Sequence, residues 1–178
     1  GYDMSPDVPP RDPRPPIFQA SRVPQTSGKP ELPMRLLSLW FAHLSTDRLA
    51  RAAPEQTARP RVIADSENGA LRLVAVDQDA QMLGLAPGMS LADARAYAPE
   101  LDVAFADRHG DMKMLERIAR WARRYTPHVA LDGNDGLMLD ITGAAHLVGG
   151  EARLRRDVLD RLAKLGFAAR AAIAATPG

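Results

Sequence analysis

The sequence predicts an α+β fold: a mixed, mainly antiparallel sheet with helices on one face and a small inserted subdomain. Three observations predict this fold. Regular hydrophobic patterning begins at Met34 and continues to the end of the 178-residue chain. From Met34 onward, apolar runs of strand length alternate with stretches of helical period. Short polar turns separate two pairs of these runs, which indicates hairpins and therefore antiparallel neighbours.

Residues 1–33 differ from the rest of the chain, because they are rich in proline and their few apolar residues show no period. Such a segment buries too little apolar surface to offset its ordering entropy. We therefore predict a Pro-rich disordered tail, or a segment added for expression, before a folded part at residues 34–178. The alternative is a docking peptide in polyproline conformation with Ile17 and Phe18 as anchors.

The predicted elements up to residue 106 are short. In chain order they are a strand at 35–41, a helix at 46–53 capped by Ser45, strands at 62–65 and 71–76 joined through Asn68-Gly69, helices at 77–83 and 90–98, and a strand at 101–106. We place the inserted subdomain at about residues 54–106.

The second half of the chain contains the longest predicted helix, Asp111 to Tyr125, whose apolar stripe includes Ile118 and Trp121. Strands at 129–131 and 137–141, a helix at 151–165 and a strand at 168–175 follow. Trp40 and Trp121 are expected in the core. Because the chain stops directly after a strand, we expect it to be truncated before a closing element.

Composition excludes several classes of protein. The chain has no cysteine, so disulfides and thiolate metal sites are excluded. No apolar run approaches the roughly 18 residues that a membrane helix needs. The formal net charge is +1, with 23 Lys and Arg against 22 Asp and Glu. A protein that grips duplex DNA by itself is usually more basic, so any DNA binding is expected to be weak.

Several stretches together resemble Y-family DNA polymerases, and more closely their ImuB branch. These stretches are Arg35 to Arg51, Ala80 to Arg95, Arg124 to Val129, Leu139-Asp-Ile-Thr-Gly143, His146 to Gly150 and Ala174 to Gly178. Their order and spacing carry the assignment, since each is weak alone. The resemblance implies a ferredoxin-like palm with an inserted fingers subdomain, and a thumb and little finger beyond the end of this chain.

The resemblance also implies where catalytic carboxylates would lie. Active relatives hold two Mg²⁺ ions with three carboxylates from adjacent palm strands. Aligned on the first strand, two of the carboxylate positions fall on Trp40 and Ala42. Aligned back from Leu139-Asp140, the Asp-Glu pair falls on Asp135 and Gly136. Of these four aligned positions only Asp135 keeps a carboxylate, which is fewer than the three ligands required, so we expect no resident metal or other cofactor, and no polymerase activity.

Two remaining acidic residues have a structural alternative. For Asp135 two interpretations are possible: an ordinary turn residue in Asn134-Asp135-Gly136 or a remnant metal ligand. The turn residue is the favoured interpretation. Asp140 is favoured as a structural residue at a strand end. The four histidines are scattered without ligand spacing, so none is assigned to a metal.

The helix at 111–125 carries the one notable basic cluster. Arg117, Arg120 and Arg124, with Arg123 beside them, are candidates for a phosphate or partner contact. A solvated helix face is the favoured interpretation of such a cluster.

The resemblance implies a non-catalytic scaffold subunit of a bacterial SOS mutasome, in the cytoplasm at the nucleoid. Its implied partners are an ImuA-like RecA-related protein, an error-prone DnaE-type polymerase and the sliding clamp, bound mainly through C-terminal regions absent here. The alternative is an active translesion polymerase that uses unconventional ligands such as Asp132 and Asp135. A third hypothesis is a ferredoxin-like binding module whose polymerase resemblance is only ancestral.

Overall fold

The computed structural model describes residues 33–56 and 58–176. The predicted tail lies outside these residues, apart from Pro33. Within them, no helix is long and apolar enough to cross a membrane.

Seven strands and five helices form this part of the chain. The strands are β1 (Met34–Trp40), β2 (Arg61–Glu67), β3 (Ala70–Val76), β4 (Asp102–Phe105), β5 (Val129–Asp132), β6 (Gly136–Asp140) and β7 (Arg170–Thr176). The helices are α1 (Leu44–Ala52), α2 (Gln78–Met82), α3 (Leu91–Tyr97), α4 (Arg108–Ala122) and α5 (Glu151–Lys164), with short 3₁₀ turns at Pro54–Gln56 and Ala145–Val148.

The first sheet has the strand order β5-β6-β1-β7, and every neighbouring pair is antiparallel. Successive side chains of a strand point to opposite faces, so alternate residues of β1 share a face. Leu37 and Leu39 are buried against the apolar stripes of α4 and α5, in a core that Leu115 and Leu162 also join. The helices therefore cover one face of this sheet, as predicted, while the even-numbered residues of β1 point to the other face.

The second sheet has the order β3-β2-β4. β2 and β3 form an antiparallel hairpin, whose turn residues Asn68 and Gly69 have φ of 51° and 80°. Two positive φ values are what a tight hairpin turn requires, which explains the Asn-Gly pair. β4 lies parallel to β2, and α2 and α3 supply part of a separate core that includes Leu85 and Leu91.

The predicted α+β fold with mixed sheets is confirmed, and its strands are divided between these two sheets. The second sheet falls within the residues assigned to the fingers insert. Both sheets belong to one compact unit, Leu32–Gly178, so the boundaries 54–106 of the insert stay a prediction.

Two predicted helix starts are wrong. Ser45 does not cap α1, because the helix begins at Leu44 and His43 holds the cap position without a side-chain hydrogen bond. The Ser45 hydroxyl instead donates to Asp111 Oδ2 at 2.5 Å. Helix α4 begins at Arg108 rather than Asp111, because Asp107 accepts a hydrogen bond from Gly110 N at 2.9 Å and acts as the cap.

Candidate functional site

The four positions aligned with catalytic carboxylates meet at one end of the first sheet. The register of β1 and β6 places Trp40 opposite Gly136, and Phe41 N donates to Asp135 O at 2.8 Å. Ala42 follows directly in the bend before α1. Positions that are far apart in the chain are therefore neighbours in space, as the alignment on a palm sheet requires.

Trp40 is not a core residue, and the prediction that placed it there is wrong. It is an even-numbered residue of β1, so its side chain lies on the face away from α4 and α5 and is 44% exposed. The indole Nε1 donates a hydrogen bond to Asp135 Oδ2 at 3.0 Å. The guanidinium of Arg170, from β7, lies over the indole ring at 5.4 Å from its centroid. Trp121, in contrast, is partly buried against the core, as expected.

Gly136 has no room for a side chain. It is buried at the start of β6, and a Cβ atom added to it would lie 2.8 Å from Asp132 O and 3.2 Å from Leu39 O. Both of these atoms are backbone oxygens, so they cannot swing aside as the end of a side chain can. The position aligned with the catalytic glutamate is thus closed to any larger residue unless the β5–β6 hairpin moves.

These residues do not fit a pair of Mg²⁺ ions. Mg²⁺ requires hard oxygen ligands, and Trp40, Ala42 and Gly136 supply no side-chain oxygen. Asp135 supplies one carboxylate, and one oxygen of that carboxylate already accepts the indole N–H. Across residues 33–56 and 58–176, no group of three His, Asp or Glu side chains could hold a metal ion. The arrangement is a hydrogen-bonded and stacked cluster.

Asp140 has contacts typical of a strand end. Its Oδ1 accepts a hydrogen bond from Thr142 N at 3.0 Å, and Thr142 Oγ1 in turn accepts one from Arg35 N at 2.9 Å. Hydrogen bonds from the Thr142 hydroxyl and amide hold the pKa of Asp140 below its ordinary range. These contacts support the structural interpretation of Asp140.

A cleft of about 340 Å³ opens beside the cluster, between the end of the first sheet and the second sheet. Ala42, Val74, Arg108, Asp111 and Asp135 are among its lining residues. Asp111, which the sequence interpretation did not single out, is the second carboxylate in this cleft. Both of its oxygens are occupied: Arg48 Nε donates to Oδ1 at 2.7 Å and the hydroxyl of Ser45 donates to Oδ2. It therefore joins α1 to α4 rather than replacing a lost ligand.

The basic cluster lies on the opposite side of the sheet from Trp40. Arg117, Arg120 and Arg123 are exposed, on or just after α4, and α4 packs on the helical face. Arg124 lies over the Trp121 ring at 4.8 Å from its centroid and donates from Nε to Trp121 O at 3.1 Å. The structure does not bring these arginines to the remnant catalytic cluster.

Solved polymerase structures share this architecture. The post-insertion binary complex of Dbh DNA polymerase matches with a TM-score of 0.69 and 18% identity, over 79% of this chain and 42% of that chain. DinB from Sulfolobus solfataricus matches with a TM-score of 0.65 and 18% identity, over the same shares. At this level of identity the likeness establishes the fold alone, which is the palm and fingers of a Y-family polymerase.

Sequence relatives give the family. Residues 40–178 match the impB/mucB/samB family, and the chain belongs to it. Proteins called ImuB from two strains of Caulobacter vibrioides, NA1000 / CB15N and ATCC 19089 / CIP 103742 / CB 15, are 51% identical over 96 residues, or 54% of this chain. That match spans 21% of the length of each relative. The predicted resemblance to the ImuB branch of the Y family is confirmed.

Proposed function

We propose that this chain is part of a non-catalytic, polymerase-like scaffold subunit of a bacterial SOS mutasome, which supports error-prone translesion synthesis by partner proteins. The proposed partners are an ImuA-like RecA-related protein, an error-prone DnaE-type polymerase and the sliding clamp, with weak binding to DNA at the nucleoid in the cytoplasm. Most of these contacts are assigned to regions beyond this chain, since it spans a minor part of its relatives' length.

The geometry at Gly136 carries the non-catalytic half of this proposal. The loss of a carboxylate from the sequence could by itself be reversed by a single substitution. At Gly136 the backbone oxygen of Asp132 occupies the space that a side chain needs, 2.8 Å from the Cβ position. A side chain at position 136 therefore requires the hairpin to shift. Two-metal phosphoryl transfer depends on ligands held at fixed separation, and a hairpin closed in this way does not offer that geometry.

Primer extension tests the loss of catalysis. We expect the purified protein to add no nucleotide with Mg²⁺ or Mn²⁺ beyond the level of its Asp135→Ala variant, because a single carboxylate does not position two ions. An active Y-family polymerase on the same DNA is the positive control. Extension that is abolished by Asp135→Ala or Asp132→Ala would establish the alternative, an active polymerase with unconventional ligands.

Tryptophan fluorescence tests metal binding at Asp135 directly. Trp40 lies 3.0 Å from Asp135, and the chain has only two tryptophans, so a Trp121→Phe variant reports from Trp40 alone. Mn²⁺ is paramagnetic and quenches a nearby indole. We expect no saturable quenching. Saturable quenching that Asp135→Ala removes would mean that a metal site survives.

Damage-induced mutagenesis in the source bacterium tests the scaffold half. We expect the gene with Asp135→Ala to restore induced mutation to a deletion strain as well as the unaltered gene does, because the role requires shape and not carboxylate chemistry. If the Asp135→Ala strain behaves like the deletion strain while the protein is present at normal level, the non-catalytic proposal is wrong.

A further inference from the structure

The helical face of the molecule carries an apolar groove that its own described residues leave open. The groove has a volume of about 160 Å³ and lies between α4, α5 and the segment after α5. Ile118, Leu162 and Phe167 form its buried floor, and Met114, Trp121 and Leu165 line its sides. Leu165 is 37% exposed, so apolar surface continues from the groove to the outside.

Basic side chains surround this groove. Arg51 and Arg117 line it, and Arg120 and Arg124 follow Arg117 at helical spacing along the same side. Residues 113–124 contain one lysine and four arginines against a single acidic residue, Glu116. The whole chain has a formal net charge of only +1, so positive charge is concentrated locally on this face.

Two of these cations have no side-chain partner among the residues that the structure describes. The side chains of Arg117 and Arg120 form no hydrogen bond or ion pair across residues 33–56 and 58–176, although six other carboxylate–arginine contacts occur there. Arg51 is positioned by a 2.7 Å hydrogen bond from Nη1 to Leu165 O and lies 5.6 Å from the centroid of the Phe167 ring. The rim thus combines the positioned guanidinium of Arg51 with two arginines that have no side-chain partner within the described part of the chain.

We propose that this groove, defined by Arg51, Met114, Arg117, Trp121, Leu165 and Phe167, binds an acidic segment of a partner protein through an apolar side chain flanked by Asp or Glu. The groove accepts the apolar side chain, and the arginines at its rim pair with the carboxylates. The proposal deepens the scaffold role and rests on it, because a scaffold acts by holding partners.

A nucleic acid fits this surface less well than a protein segment. Sequence-independent single-strand binding uses open aromatic faces on which bases stack. Neither aromatic residue of the groove offers one: Phe167 is 2% exposed, and a guanidinium already lies over the Trp121 ring. An apolar groove with a buried floor favours an aliphatic or aromatic side chain over a phosphate backbone.

Fluorescence anisotropy tests the proposal on the 178-residue chain. The labelled peptide has about 12 residues, is rich in Asp and Glu, and carries Leu and Phe as apolar anchors. Two control peptides replace either the acidic residues by Asn and Gln or the anchors by Ser. We expect saturable binding of the first peptide and at least tenfold weaker binding, about 1.4 kcal/mol, of each control.

Matched variants locate the binding site. We expect two variants to weaken peptide binding by about tenfold or more: the double variant Arg117→Glu/Arg120→Glu and the single variant Leu165→Ser. Arg95→Glu, which reverses an exposed arginine of α3 without a side-chain contact in the described chain, is expected to leave binding unchanged. Thermal melting of all variants confirms folding. Variants that melt normally and bind the acidic peptide as tightly as the unaltered protein would overturn the proposal.

Three further outcomes would also overturn it. The first is tighter binding of a single-stranded oligonucleotide with the same sensitivity to Arg117→Glu and Leu165→Ser, which would make the face a nucleic-acid surface. The second is displacement of the labelled acidic peptide by a synthetic peptide of residues 1–32 at lower concentration than the unlabelled acidic peptide requires. The third is a dimer, detected by sedimentation, that the same variants dissociate. Primer extension is measured in a separate experiment. Nucleotide addition there contradicts the proposed loss of catalysis, whereas failure of the acidic peptide to bind contradicts only the proposed role of the groove.

Discussion

At the scale of single residues, three of the positions proposed as a remnant catalytic site, Trp40, Asp135 and Gly136, contact each other or neighbouring residues. Trp40 donates to Asp135 and stacks under Arg170, while Gly136 allows the Asp132 carbonyl to approach. One oxygen of Asp135 is therefore occupied by the indole, and a side chain at position 136 would meet a backbone oxygen. Asp135 keeps its identity, but its carboxylate acts as a hydrogen-bond acceptor in a turn.

Restoring the glutamate is expected to damage the protein rather than revive it. We predict that Gly136→Glu lowers the free energy of unfolding by about 1–3 kcal/mol, because the new Cβ meets the Asp132 carbonyl oxygen at 2.8 Å and the hairpin must shift. Urea unfolding followed by circular dichroism measures this. The variant is not expected to extend a primer.

Ala130→Glu is the matched control for this substitution. It places the same side chain at an exposed position of the neighbouring strand β5 and is expected to change stability by less than about 0.5 kcal/mol. Equal stability of Gly136→Glu and Ala130→Glu would show that the hairpin accommodates a side chain at position 136, and the steric argument for lost catalysis would fail.

At the scale of secondary-structure elements, polar contacts fix the helices to each other and to the sheet. Arg35 of β1 donates from Nε and Nη2 to the two oxygens of Glu151 at the start of α5, both at 2.7 Å. This contact holds the pKa of Glu151 below its ordinary range. Past the end of α4, Tyr125 Oη donates to Asp157 Oδ2 of α5 at 2.7 Å, and Arg161 pairs with the same carboxylate.

The Tyr125–Asp157 contact predicts a pH-dependent effect. Hydrogen bonds from Tyr125 and Arg161 lower the pKa of Asp157, while burial and Asp157 itself raise the pKa of Tyr125, which stays protonated at neutral pH. A lowered pKa means that the stabilisation is present above the carboxyl's unfolded value and is lost as the pH falls through its folded value. Tyr125→Phe is therefore expected to cost about 1 kcal/mol at pH 7 and less at acidic pH.

Urea unfolding at pH 7 and at about pH 3 measures the difference. Tyr97→Phe is the control, because Tyr97 is 68% exposed and its hydroxyl has no hydrogen bond in the part of the chain that the structure describes. A Tyr125→Phe penalty that stays constant or grows as the pH falls would mean that the hydroxyl contributes through packing and not through the Asp157 carboxylate.

At the scale of the whole molecule, two sheets with separate cores are joined through α1. The core of the first sheet draws on β1, β6, α4 and α5, whereas the second is built around β2 and β3 with the short helices α2 and α3. Arg61 of β2, 6% exposed, donates from Nε to Asp102 Oδ2 of β4 at 2.6 Å. This ion pair holds the parallel strand β4 to the second sheet.

We predict that the two sheets differ in local stability. Asp102→Asn removes the charge that pairs with the buried Arg61 side chain. Because the Asp102 side chain is itself 38% exposed, the substitution is expected to destabilise the second sheet by about 1 kcal/mol. Native-state hydrogen exchange should then become faster at β2 and β4, with unchanged exchange at β1 and β6. Asp160→Asn, at an exposed α5 position without a side-chain contact among the described residues, is the control. Equal acceleration in both sheets would mean that they open together.

The sequence alone determined the local structure and the identity of the family. Some features could be read from the chain because they depend on neighbouring residues: the periods of α4 and α5, the Asn68-Gly69 turn and the Ser90 cap of α3. The absence of carboxylates at Trp40 and Ala42 is likewise a matter of residue identity. The predicted Ser45 cap failed because its hydroxyl binds Asp111 of α4, a contact between distant residues that no local pattern reveals.

Only the tertiary structure decided the contacts at the positions proposed as a remnant site. Trp40 and Asp135 are 95 residues apart, and their hydrogen bond exists because β1 and β6 pair in one register. The exposure of Trp40 follows from which face the helices cover, and the closure of position 136 follows from the path of the Asp132 carbonyl. The groove beside Arg117 likewise needs α4, α5 and Phe167 in place together. Each depends on contacts between distant segments, and these are set by packing rather than by local sequence.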